Sequence, residues 1–114
     1  FSEPIQVHKS QHWSALDGTW VQIFPEDERK AWRLYFDQGI YSLHLSNLSK
    51  QREVLIPDVK VDCYPHRKCR IWASQRYQFT VQYSEEKVKI IRPLVYDSSL
   101  AMKANELYRR KPDR

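Results

Sequence analysis

The stretch AWRLYFDQGIYSLHL, residues 31–45, decides how the rest of the chain is read. Trp32, Leu34 and Phe36 recur at every second position, with Arg33 and Tyr35 between them. That is the period of a strand with one face in a core and the other towards water. Beyond Asp37-Gln38-Gly39, Tyr41, Leu43 and Leu45 resume the same period. Two alternating runs joined by a short glycine-containing link predict a β-hairpin.

Working outward, the alternation continues. Downstream come Val54 and Ile56, then Val59, Val61 and Cys63 after an interruption at Pro57-Asp58. Cys69, Ile71 and Ala73 follow, then Tyr77, Phe79, Val81 and Tyr83, and finally Val88, Ile90 and Ile91 before Pro93. Upstream, Val21, Ile23 and Phe24 have strand composition and stop at Pro25. Turn signals recur every ~8–12 residues, as in a sandwich or barrel, and there is no βαβ alternation that would make a parallel sheet. The expectation is a mainly β single domain over residues 1–114. It has an N-terminal arm (1–12), an antiparallel barrel or sandwich of about seven or eight strands (18–96) and a C-terminal α-helix (97–110). The helix is predicted because Leu100, Ala104, Leu107 and Tyr108 fall at helical spacing, with Asp97, Ser98 or Ser99 as N-cap. Arg109, Arg110 and Lys111 would sit at its C-terminal end, where the helix dipole favours cations. Alone it would be marginal, so it should pack on the sheet as a lid or buttress, with Trp72 beneath it.

A chain of 114 residues builds one core, and its 41% hydrophobic and 13% aromatic content argues against disorder. No apolar run reaches the ~18–20 residues of a membrane span. The net charge of +5 favours anionic partners, whether nucleic acid, an anionic glycan or an acidic protein, although a few units of charge also serve solubility.

The two cysteines lie in Cys63-Tyr-Pro-His-Arg-Lys-Cys69. A disulfide across the base of a tight strand–strand connection is the leading reading, and it implies an oxidising compartment. The alternatives are free thiols in a cytoplasmic chain, or a metal held by Cys63, His66 and Cys69 with His8, His12 or His44. The cysteine spacing is wider than the C-x2–4-C usual for zinc, so no metal site is expected. No catalytic residue is assigned either. The serines lack a nucleophile-elbow context, two glycines exclude phosphate-cradling loops, and the acidic residues cluster in turns. No cofactor is implied.

Leu16-Asp17-Gly18-Thr19-Trp20, leading into the first strand, resembles the G-x-W signature of lipocalins and the wider calycins. The resemblance implies a short 3₁₀ turn before the motif, a Trp plugging one end of an antiparallel barrel, and a helix after the last strand. It also implies an Arg from the last strand lying across the Trp. Arg92 matches by position, and Arg109 is the alternative. Gly18, Trp20 and Arg92 are therefore the structural motif set.

Binding candidates come from aromatic and basic residues. Trp72 stands opposite the Ile71 face beside Arg70, and Tyr35 and Tyr41 lie on strands that cannot bury every ring. Arg67 and Lys68 add charge in the cysteine loop, and Arg109 and Arg110 in the tail. The first functional expectation is a secreted or periplasmic, non-catalytic binding domain. Its ligand would be a small apolar molecule or a protein partner such as an inhibited hydrolase. The alternatives are a basic module docking nucleic acid or an acidic protein, and a structural subunit of a larger assembly. The sequon Asn47-Leu48-Ser49 has meaning only in a eukaryotic secretory route.

Overall fold

The computed structural model describes residues 5–6, 16–26, 29–94 and 100–112. Its strands are β1 (Ile5–Gln6), β2 (Gly18–Phe24), β3 (Lys30–Asp37), β4 (Ile40–Asn47), β5 (Arg52–Tyr64), β6 (Lys68–Trp72), β7 (Gln78–Tyr83), β8 (Lys87–Arg92) and β9 (Leu107–Arg110). A 3₁₀ turn, η1 (Leu48–Lys50), joins β4 to β5. Each of β2 to β9 pairs antiparallel with the next, and β9 returns to pair with β2. The eight strands therefore close on themselves, which makes the architecture a barrel and removes the sandwich alternative. β1 adds a two-residue pairing on β5, at Cys63 and Asp62.

The 31–45 hairpin forms as the alternation predicts. β3 and β4 pair from Lys30↔Asn47 to Asp37↔Ile40, leaving a two-residue turn. Gln38 and Gly39 both take positive φ, 53° and 86°, which matches the right-handed twist of the flanking strands. Pro57-Asp58 does not break β5. Asp58 adopts φ 57°, and the 13-residue strand pairs with β4 through its first half and with β6 through its second. One long strand thus serves both sides of the sheet's curvature, with an irregularity in register opposite Tyr41 and Leu43.

Alternate residues fill the interior. Trp20 and Trp32 are cross-strand partners and stack at 5.7 Å between ring centroids. Trp32 also meets Phe79 edge-on at 5.4 Å and Tyr108 at 6.4 Å, so rings from β2, β3, β7 and β9 meet in the middle. Leu34, Leu43, Val61, Ile71, Val81 and Ile90 complete a continuous core. At one end, Leu16 is buried ahead of β2. At the other, Leu94, Leu100 and Met102 of the β8–β9 connection are buried, and Leu94 and Met102 exchange backbone hydrogen bonds of 2.9 and 2.8 Å. Side chains occupy the space that a ligand cup would need.

A buried ion pair lies within this core. Lys30 Nζ lies 2.6 Å from Glu106 Oε2 and donates to the Ala101 carbonyl at 2.7 Å. The Tyr108 hydroxyl donates to the other Glu106 oxygen at 3.0 Å.

The C-terminal helix expected over 97–110 is not present in the described part of that range; residues 97–99 lie outside the described residues. Residues 100–106 form an irregular connection, and Leu107–Arg110 is a strand. The physical reason is edge satisfaction. Without β9, both β2 and β8 would present unpaired N–H and C=O groups. β9 pairs with both, through Trp20↔Arg110 and Gln22↔Tyr108 on one side and Val88↔Tyr108 on the other. Helical spacing of four apolar residues cannot offset two open edges.

Candidate functional site

The G-x-W segment supplies structural bracing. Gly18 has φ 119°, and a Cβ there would stand 3.2 Å from Arg110 Nη1. Trp20 is fully buried and donates its Nε1–H to the Leu16 carbonyl at 3.0 Å. Arg110 lies across Trp20, 4.3 Å from the ring centroid, and donates to the Asp17 carbonyl. The bracing arginine is therefore Arg110, and neither Arg92 nor Arg109 takes that place. The cause is again β9: barrel closure sets the last strand beside the first, and Arg110 is the residue opposite Trp20. A closed eight-stranded barrel whose first-strand Trp is covered by a last-strand Arg is consistent with a calycin-like fold.

The binding candidates divide between inside and outside. Tyr41, expected among the binding residues, is instead a core residue packed edge-on against Phe36 at 5.0 Å, because its side chain points inward on β4. Tyr35 lies half-buried on the outer face of β3 with Arg33 over its ring at 4.7 Å. β4 and β5 separate it from β6, so it does not join Trp72.

Trp72, Arg70 and Lys68 do come together. On β6, Cys69 and Ile71 point inward, which turns the other three outward. The Arg70 guanidinium stacks on Trp72 at 4.9 Å and donates to Gln78 Oε1 at 3.0 Å. Trp72 donates its Nε1–H to Asp62 Oδ2 at 2.8 Å. Trp72 thus has Arg70 and Asp62 as partners, while β8 and β7 stand between β9 and β6, so the tail does not buttress it. Arg67 is exposed in the adjoining turn at φ 59°, where its carbonyl accepts from the Tyr83 N–H at 2.9 Å.

The register extends this basic surface across the barrel. Arg70 pairs with Thr80, and Thr80 with Arg92. Lys68 pairs with Gln82, and Gln82 with Lys89. Lys87 pairs with Arg109. Lys68, Arg70, Arg76 and Arg92 line one open groove of about 1040 Å³, whose other walls are polar at Gln75, Gln78 and Thr80 and apolar or aromatic at Tyr64, Phe79, Ile91 and Pro93. No carboxylate lines it among the described residues; Asp62, opposite Arg70 on β5, is the nearby acid. Arg92 thus belongs to this face. Arg76 was missed because it sits in the non-periodic 73–77 connection. The Arg70–Thr80–Arg92 row was missed because register across three strands is not written in any one of them.

Cys63 and Cys69 face each other across β5 and β6, with Cα atoms 4.0 Å apart, and are joined as a disulfide. This takes both thiols and leaves none for the metal or free-thiol readings. Among the described residues, no three His, Cys, Asp or Glu side chains gather as a metal site. His44 pairs with Glu53 on the surface at 2.9 Å. His8 and His12 lie outside the described residues. Asn47 of the sequon is fully buried, and its side chain caps η1 by accepting from the Lys50 N–H at 3.3 Å. Among the described residues, no helix is long and apolar enough to cross a membrane.

Comparison with protein families, with curated proteins and with solved structures returns no match.

Proposed function

We propose that this chain is a non-catalytic, lipocalin-like binding domain that engages an anionic partner on the outer face of β6–β8. The observation carrying this reading is the groove lined by Lys68, Arg70, Arg76 and Arg92, with Arg70 stacked on Trp72. Three of these cations stand on barrel strands, so the chain loses little conformational freedom in presenting them. The filled interior supports an outer-face partner over a small apolar molecule in a cup. The Cys63–Cys69 disulfide supports a secreted or periplasmic setting, since such bonds persist under oxidising conditions.

Retention on immobilised dextran sulfate tests the proposal. The triple variant Lys68→Glu/Arg70→Glu/Arg92→Glu is compared with Arg33→Glu/Lys50→Glu/Arg52→Glu, which changes net charge equally on the other side of the barrel. The first should elute at much lower salt than the second, because counterion release counts the cations actually in contact. Equal elution would mean that retention reads net charge alone, and the proposal would fail.

A further inference from the structure

We infer that the anionic partner is a linear sulfated polysaccharide lying across β6–β8, with Arg70 and Arg92 as one pair of anchoring cations and Lys68 and Lys89 as the next. This rests on the outer-face reading above. Outward residues on one strand stand about 7 Å apart, and neighbouring strands about 4.8 Å apart. Lys68 and Lys89 are joined through Gln82 in one register row, and Arg70 and Arg92 through Thr80 in the next. The rows are therefore about 10 Å wide; Lys68 and Arg70 stand about 7 Å apart on β6, while Lys89 and Arg92 are three positions apart on β8, where the register shifts between Thr80 and Val81. The floor between them carries a hydroxyl from Thr80 and an amide from Gln82, while the Gln78 amide at the edge is taken up by Arg70 and the Gln75 carbonyl. Cations at the corners and neutral hydrogen-bonding groups between them suit sulfates separated by sugar hydroxyls.

Two other polyanion classes fit this face less well. Single-stranded nucleic acid binds through aromatic rings whose faces are open to bases. Here the Trp72 ring is stacked by Arg70 and its N–H is taken by Asp62. An acidic protein would want an apolar centre inside a polar rim. Of this groove's apolar walls, Phe79 is buried and Tyr64 and Ile91 are only partly exposed, while the large exposed apolar residues among the described residues, Val21, Phe24, Leu48 and Leu55, belong to β2, η1 and the first half of β5. Arg70 is also held ready by Gln78 and Trp72. A guanidinium fixed in this way can offer its remaining N–H fork to a tetrahedral oxyanion such as sulfate.

Calorimetric titration with a heparin-derived octasaccharide tests the inference, with a thymidine dodecanucleotide and polyglutamate as the other arms. The octasaccharide should bind at least tenfold more tightly than either. Arg70→Gln/Arg92→Gln should weaken it at least tenfold, and Lys68→Gln/Lys89→Gln, which leaves Trp72 and its partners untouched, should weaken it severalfold. Arg33→Gln should leave it unchanged. If the oligonucleotide or polyglutamate equals the octasaccharide and the same variants weaken it, the glycan assignment falls while the outer-face reading stands. If no arm binds, or if the four substitutions change nothing, both fall.

Discussion

Glu106→Gln is the substitution whose cost follows most directly from the packing. Lys30 and Glu106 are 76 positions apart in the chain and meet inside the barrel, with side chains only 6% and 3% exposed. Glutamine is nearly isosteric with glutamate, so the change removes charge and little volume. Lys30 then keeps the Ala101 carbonyl and an amide oxygen as neutral acceptors, but its buried ammonium has lost its counter-charge. Breaking a buried pair from one side costs about 3–5 kcal/mol. With an unfolding entropy near 2.1 cal/mol/K per residue, a chain of 114 residues should lose about 12–20 °C of Tm.

Removing both charges is a different perturbation. Lys30→Met/Glu106→Leu takes away the desolvation cost along with the attraction, and apolar replacement of buried pairs is often neutral or stabilising. Here the Tyr108 hydroxyl would lose its acceptor, a penalty of about 1–3 kcal/mol, which Tyr108→Phe in the same background removes. Urea unfolding of the wild type, the singles Lys30→Met and Glu106→Leu, the double and the triple yields the coupling energy directly. The singles should be worse than the double. If Glu106→Gln shifts the midpoint by less than about 1 kcal/mol, the pair behaves like an exposed one and the buried-charge reasoning is refuted.

Arg110→Ala should cost about 2 kcal/mol in urea unfolding, since it removes both the cation stacked on Trp20 and the donor to the Asp17 carbonyl; Arg110→Lys should recover only part of it. Gly18→Ala should destabilise by about 1–3 kcal/mol, because alanine is strained at φ 119° and its Cβ would crowd Arg110. Cys63→Ser/Cys69→Ser should lose about 2 kcal/mol on the chain-entropy model for so short a loop, and thiol titration of the unreduced wild type should find no free thiol.

Most of the fold was legible because a half-buried strand writes its burial into a period of two. Residues 31–45 did so cleanly, and so did 77–83. The tail did not. Leu107–Arg110 holds four residues, too few to display a period, and Leu100 and Ala104 lie upstream at a helical spacing that has no structural meaning there. What decides the tail is a demand made elsewhere, by the open edges of β2 and β8. The same non-local fact moved the bracing role from Arg92 to Arg110. At the site, Trp72 and Arg70 were readable as a pair because they share a strand face. Their partners Asp62 and Gln78 were not, because they come from strands on either side, and nothing in the composition of β6 names them.

The closed, filled barrel also bears on how the basic face is kept. Every inward residue on β6–β9 is committed to the core, including Ile71, Phe79, Val81, Ile90 and Tyr108. The outward positions on the same strands take no part in filling the core, and Lys68, Arg70, Lys89 and Arg92 give several of them over to charge. Rows of like charges about 5–10 Å apart repel, and a Debye length of about 8 Å at physiological salt only partly screens them. Asp62 relieves some of this repulsion at Arg70, but its carboxylate is also held by Trp72. The remaining repulsion is carried by the hydrophobic interior and by the disulfide at the end of the β5–β6 hairpin. A polyanion laid along the rows would neutralise that repulsion. By mass action it would then stabilise the folded chain in proportion to its binding. A barrel whose interior is packed with side chains is thus suited to this surface, because that core also holds the strands bearing the outward cations.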